Sequence, residues 1–249
     1  MRLDIINKPV INKDTSRFGY RPEGIVIHIA EGYLNGAYSW FNNRSSFASS
    51  HYMIGKSGEI WQFVHPDDTA WHAGVSMNPT WQNLKHNVNP NFYTIGIEHE
   101  GFTGEKWTAS MIESSANLIA KLCKDYNIPC NDKFIIGHNQ INSINRNNCP
   151  GNGVDLPSLI NKAKNILLEE SMIEDLKRQI KELNQLIQDQ KVEINNLIKQ
   201  LSLTESQQVK SLLNENDKLR KEILKLQNQL NNRTKSNNFF ESLVKIFRN

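Results

Sequence analysis

His138 and Cys149 stand eleven residues apart in the stretch from Gly137 to Gly151, GHNQINSINRNNCPG, separated by asparagine-rich turn residues and closed by Pro150-Gly151. Imidazole nitrogen and thiolate sulfur both suit zinc, and a turn of this composition lets the chain fold Cys149 back toward His138. His28 lies far upstream, near the end of the apolar run GIVIHI. A catalytic zinc takes three protein ligands and keeps one position open. His28, His138 and Cys149 therefore form a candidate set for one Zn2+, and the chemistry such a set supports is hydrolysis. A histidine in an apolar strand is more commonly a hydrogen-bonded core residue. What sets His28 apart is that all three candidates fall at predicted strand ends or in a turn.

The elements that must position these residues follow from apolar patterning. Gly24 to Ile29, Thr94 to Glu98 and Phe134 to Gly137 read as short buried strands, because β-branched residues run continuously between turn signals. The third delivers His138 at its end. Tyr33 to Phe41 predicts a short helix, and Thr108 to Tyr126 a longer one with Thr108 as its N-cap. Ser50 to Ile54 and Glu59 to Val64 predict a hairpin across Gly55-Lys56-Ser57-Gly58. Residues 1–23, with Pro9 and Pro22, read as an extended arm or groove wall, and Asn78 to Asn91 as a surface loop. Strands alternating with helices predict an α/β fold, a central mixed β-sheet with flanking helices. In such sheets ligands collect outside the carboxyl ends of the strands.

All five tryptophans, seven histidines, eight prolines and thirteen glycines precede residue 158. Beyond it the composition is one that helices tolerate and a mixed packed domain does not. The expected division is a domain over 1–168, a coiled-coil helix over 169–232, and a linker with a short amphipathic helix over 233–249. A net charge of +3, from 29 basic and 26 acidic residues, gives no field for nucleic acid. The N-terminus lacks an apolar h-region and no stretch approaches membrane-spanning length, so the expectation is synthesis in the cytoplasm without a signal peptide. Cys123, Cys130 and Cys149 make an odd count with no close pair, which argues against a disulfide framework. Cys123 reads as a small core residue within a helical pattern.

Ile173, Ile180, Ile187, Ile194 and Leu201 recur every seven residues, with Leu176, Leu183 and Leu197 between them and Gln190 interrupting the second series. A second seam runs through Val209, Leu212, Asn216, Leu219, Ile223, Leu226 and Leu230, after an eight-residue step from Leu201 to Val209. Heptads of this kind predict a homo-oligomer through residues 173–230. Ile/Leu core positions and Asn216 favour a parallel dimer. One continuous helix would extend about 87 Å and project from the domain. Leu186, Ile198 and Leu213 widen the stripe, which leaves trimers or a folded-back hairpin open. The terminal FFESLVKIF, with Phe239, Phe240, Leu243 and Phe247 on one side, reads as a docking helix or a membrane or partner contact.

Taken in order, HIAEG, SSHYMIGKSGEIWQFV, TAWHAG, TIGIEHEG and GHNQI followed by NNCPG resemble the zinc-dependent N-acetylmuramoyl-L-alanine amidases. This family of cell-wall hydrolases includes many phage endolysins and is related to peptidoglycan-recognition proteins. The resemblance covers about residues 20 to 165. It implies that His28, His138 and Cys149 are the zinc ligands and that Glu98 is the catalytic carboxylate, taking a proton from water and returning it to the departing amine. Glu100 would share a strand face with Glu98, so spacing alone does not choose between them. Where the family often carries a lysine two residues before the last ligand, this chain has Asn147, with Arg146 adjacent. His51 and His72 occupy family-like motifs, as groups supporting the ligands or lining the groove. Trp71 is placed either to stack on a sugar or to fill the interior, and Ser50 lies where some relatives carry a groove tyrosine. His65, His86 and His99 have no motif support and read as solvated. The implied substrate is peptidoglycan, cut between N-acetylmuramic acid and L-alanine of the stem peptide. The implied site of action is the bacterial wall, after release or export by a non-classical route. The alternative is a peptidoglycan-binding module without turnover, displayed on a coiled-coil stalk.

Overall fold

Continuous β-branched runs build the middle of the sheet. In the computed structural model, which describes residues 3–200 and 207–246, the strands are β1 (Ile5–Asn7), β2 (Lys13–Asp14), β3 (Gly24–Ile27), β4 (Tyr52–Ile54), β5 (Ile60–Gln62), β6 (Thr69–Ala70), β7 (Thr94–His99) and β8 (Ile135–Gly137). Six of them form one sheet in the order β1-β5-β4-β7-β3-β8, and β2 pairs separately with β6. Only β4 and β5 run antiparallel within the large sheet, which makes it mixed as expected. The turn joining them is closed by Gly55 N donating to Glu59 O at 2.9 Å, as the GKSG signal predicts. The arm expected over residues 1–23 is in part strand: β1 lies along the sheet edge against β5. Strands of three and two residues are too short to show a period.

Chain alternation then decides which layer each residue joins. Ile25, Ile27, Ile95, Ile97 and Ile135 point to one face, where they pack with α2 (Ala109–Tyr126) and the opening turns of α3 (Leu156–Gln200) through Leu118, Ile119, Leu122, Leu159 and Ala163. Met53 faces the other way, with Trp61 and Phe63, toward Leu34 and Phe41 of α1 (Leu34–Phe41). Burying each isoleucine contributes about 1.5–3 kcal/mol, so strands this short hold position through their side chains. Thr108 caps α2 by accepting from Met111 N at 3.1 Å, satisfying one of the helix's free donors. Because β3, β7 and β8 are parallel, their carboxyl ends reach a common edge. That edge carries His28, Glu98 and His138.

The chain divides into two units, Met1–Leu167 and Leu168–Asn249. The second consists of the remainder of α3 and of α4 (Gln207–Ile246). Ile187, Gln190 and Ile194 on α3 are buried, as are Asn216 and Ile223 on α4, and the other described seam positions are half-buried. Asn216 Nδ2 donates to Gln190 Oε1 at 3.4 Å, and Arg233 approaches Met172 Sδ at 3.3 Å. Pairing 190 with 216 and 172 with 233 fixes the two helices as antiparallel.

Several expectations are corrected here. The helix is not continuous from Ile173 to Leu230: α3 ends at Gln200 and α4 begins at Gln207, and the eight-residue register step falls at this break. Residues 201–206 lie outside the described ones. Within the chain the Asn216 amide bonds to Gln190, so the seam residues of α3 and α4 face each other, the folded-back arrangement that the widened stripe had left open. The linker expected from residue 233 is helical, with α4 running to Ile246. NRTKSNN holds no proline or glycine, and extending an existing helix costs far less than starting one. The apolar face expected for Phe239, Phe240, Leu243 and Phe247 lies outside the described side chains. Among the described residues no helix is long and apolar enough to cross a membrane.

Candidate metal centre

His28 follows β3 directly, and its backbone continues the ladder by donating to Ile97 O at 2.9 Å. His138 opens a one-turn 3-10 segment after β8. Cys149 returns to it because Asn139 N donates to Cys149 O at 2.9 Å, while Cys149 N donates to Arg146 O at 3.0 Å. The ligand atoms of the three residues lie within 4.8 Å of one another. His28 Nδ1 is 3.9 Å from Cys149 Sγ, and the two imidazole centroids are 4.5 Å apart. Tetrahedral zinc with bonds of about 2.0–2.3 Å puts ligand atoms about 3.3–3.8 Å apart, so small side-chain rotations close the set around one ion. Ile29 N donates to Cys149 Sγ at 3.4 Å, which favours a thiolate.

Electrostatics describe a site that lacks balance without a cation. Burial, then the nearby His138, holds His28 well below the ordinary histidine range. His138 is lowered to about 4 by burial and by Arg146. Burial and the neighbouring Glu98 carboxyl push Cys149 up to about 12. Burial raises Glu98 to about 8, with Arg146 opposing. Its Oε1 lies 3.9 Å from His28 Nδ1, and its Oε2 is buried without a hydrogen-bond partner. A divalent cation fits this donor set, since it offsets the cost of neutral imidazoles, a thiolate and a carboxylate in one buried place.

Glu98 and Glu100 separate cleanly. Glu100 Oε1 accepts from Leu34 N at 3.3 Å and Oε2 from Lys56 N at 2.8 Å, so this carboxylate joins the start of α1 to the β4–β5 turn. Both oxygens of Glu100 are therefore engaged away from the three candidate ligands. Arg146, Asn147 and Trp71 line a groove of about 1070 Å³ together with His28, His138, Cys149 and Glu98. Trp71 is fixed by its Nε1 donating to Asp14 Oδ2 at 2.8 Å and leaves part of its surface in the groove. Ser50 is buried, donating to Tyr52 O at 2.9 Å, and takes no part in the groove. His51 supports the sheet by accepting from Gly96 N at Nδ1, 3.0 Å away. His72 Nδ1 lies 3.1 Å from His28 Nε2, on the far side of that ring from Cys149.

One expectation fails. His99 is fully buried, not solvated. Its Nδ1 donates to His28 O at 2.9 Å, Ser115 Oγ donates to its Nε2 at 2.9 Å, and its ring stacks 3.8 Å from Trp107. It thereby fixes the backbone of a candidate ligand residue. The signal was present in the alternation Ile95, Ile97, His99, which places the histidine on the core-facing side.

The sequence pattern of the N-acetylmuramoyl-L-alanine amidases matches residues 18–152, more than half of the chain. The chain belongs to this amidase family. It is 34% identical over 130 residues to N-acetylmuramoyl-L-alanine amidase A of Achromobacter lyticus, a match covering 51% of this chain and 66% of that one. It is likewise 34% identical over 116 residues to the 1,6-anhydro-N-acetylmuramyl-L-alanine amidase AmpD of Haemophilus influenzae, covering 47% and 59%. The chain thus spans about three-fifths of the length of these curated relatives. A solved structure of a selenomethionine AmpD derivative superimposes with a TM-score of 0.53 at 26% identity, covering 66% of this chain and 99% of that one. The family match lies within the first unit, which holds the whole candidate metal centre.

Proposed function

We propose that the chain is a zinc amidase that hydrolyses the amide between N-acetylmuramic acid and L-alanine of the peptidoglycan stem peptide. The observation that carries this reading is the convergence of His28, His138 and Cys149 within 4.8 Å at the floor of a groove, with the Glu98 carboxylate 3.9 Å from His28. Membership of the amidase family supports the choice of bond.

His28, His138 and Cys149 would hold the metal. Zinc, when bound there, supplies a Lewis acid that polarises a carbonyl and acidifies water. The remaining work falls to the protein. The Glu98 carboxylate, whose Oε1 lies 3.9 Å from His28 Nδ1 and which lines the groove, is the group that takes a proton from attacking water and returns it to the alanine nitrogen as the C–N bond breaks. Its raised proton affinity, caused first by burial, suits it to hold that proton between the two steps. Arg146 brings a fixed positive charge to the same groove, where Asn147 offers an amide donor, and together they stand in for the lysine common in the family. Trp71, held by Asp14, presents an aromatic surface against which a sugar ring packs.

The test is release of stem peptides bearing new L-alanine amino termini from purified cell wall, using the full chain with stoichiometric zinc. Release that is lost in Cys149→Ser and in Glu98→Gln is the expected result. No release by the wild-type protein would overturn the reading and leave a peptidoglycan-binding module in its place.

A further inference from the structure

A run of hydrogen bonds reaches His28 from the side opposite the ligand cluster, and its direction is fixed by its first member. Pro90 O is a carbonyl and only accepts. Thr94 Oγ1, 2.7 Å away, must therefore donate its proton to it. That leaves Thr94 Oγ1 as an acceptor for His72 Nε2 at 3.2 Å, so the His72 proton sits on Nε2. A buried imidazole stays neutral, and the bare Nδ1 of His72 then accepts from His28 Nε2 at 3.1 Å. With its proton on Nε2, His28 turns an unprotonated Nδ1 toward Cys149 Sγ.

The backbone is shaped for this arrangement. Thr94, Gly96 and Glu98 share one face of β7, and the His72 ring lies directly on Gly96. A Cβ there would stand 2.5 Å from His72 Cγ, so no other residue leaves room for the ring. Asn91 Oδ1 holds the loop carrying it, accepting from His72 N at 3.1 Å and from Ala73 N at 2.7 Å.

We propose that Thr94 and His72 are positioning residues that set the tautomer of His28, so that Nδ1 is the nitrogen it offers to zinc. This rests on the assignment of His28 as a metal ligand. Without the Thr94 hydroxyl, His72 is free to carry its proton on Nδ1 and donate to His28. The His28 proton then moves to Nδ1 and blocks the ligand position. Partners of this kind change metal affinity by about 10- to 100-fold.

Two measurements on the full chain test it. Zinc affinity is measured by competition with a chromophoric chelator for wild type, Thr94→Val, Thr94→Ser and His72→Ala, with thermal melts confirming that each is folded. Thr94→Val and His72→Ala should bind zinc about 10- to 100-fold more weakly, whereas Thr94→Ser, which keeps the hydroxyl, should bind as wild type does. Nitrogen-15 spectra of the metal-free wild type should show His28 protonated on Nε2, with both tautomers present in Thr94→Val. Equal zinc affinity in folded Thr94→Val and wild type, or His28 protonated on Nδ1 in the metal-free wild type, overturns the proposal. Failure of the wild type to bind zinc overturns the ligand assignment itself, and the nitrogen spectra separate that failure from an error in the hydrogen-bond order.

Discussion

Both units of the chain bury polar side chains, but they do so to opposite ends. In the helical unit Gln190 and Asn216 answer each other across the seam and leave a closed pair among isoleucines. At the carboxyl edge of the sheet the buried groups do not close: Glu98 Oε2 has no partner, and His28 Nδ1 meets a sulfur and a carboxylate at 3.9 Å each. A completed polar pair in a core selects one alignment of the elements that carry it. An incomplete cluster in a groove is a site that expects something to arrive, and its cost within the fold is recovered on binding.

The comparison breaks most readily at the open cluster. Glu98→Gln should lower the rate of stem-peptide release by about 10²- to 10⁴-fold, the range for a general acid–base group. It should also leave the melting of the protein close to that of wild type, since Glu98 accepts no hydrogen bond that a neutral amide would forfeit. A loss below tenfold would move the proton transfer to another group.

Zinc removal should follow with a large effect confined to one unit. A ligand present at about 1,000 times its dissociation constant adds about 4 kcal/mol to the folded state. Tryptophan fluorescence reports the first unit alone, because all five tryptophans precede residue 158. Chelation should lower the fluorescence melt and leave the helical part of the circular-dichroism melt in place. An equal shift in both signals would deny that the metal belongs to the first unit.

The closed pair is tested by opening it. Gln190→Leu strands the buried Asn216 amide and should destabilise the helical unit by about 1–3 kcal/mol. Gln190→Leu with Asn216→Leu should recover that loss or exceed it, as apolar replacement of both partners often does. If the single substitution costs nothing in a circular-dichroism melt, the pair is ornamental.

The smallest effect is expected at Glu100. Replacing it with glutamine weakens one of its two backbone contacts, at a cost of about 1 kcal/mol, with stem-peptide release within a few-fold of wild type. A collapse of activity matching that of Glu98→Gln would erase the distinction drawn between the two carboxylates.

What could be seen from residues alone follows the same divide. The strands that deliver His28, Glu98 and His138 were legible because a buried parallel strand shows itself as an apolar run between turn signals. The resemblance already pointed to Glu98 where spacing did not choose, and the contacts of Leu34 N and Lys56 N, which no spacing encodes, show where Glu100 is engaged. His99 was missed because it was weighed by motif when strand alternation would have placed it. The seams over α3 and α4 were legible as seams, yet a heptad looks the same whether its partner is another chain or the same one turned back. Gln190 and Asn216 were both visible as departures from the apolar pattern. Only their distance shows that each accounts for the other.

Gly96 has a consequence for how the sheet assembles. In TIGIEHE a shift of two residues keeps every isoleucine facing inward and exchanges one glutamate for the other, so the pattern of polar and apolar faces cannot detect the error. The imidazole of His72 can. Shifted one way it would meet Glu98 and shifted the other way Thr94, where 2.5 Å leaves no room even for a methyl carbon. The absent side chain acts as a gauge that admits a single alignment of the central strand.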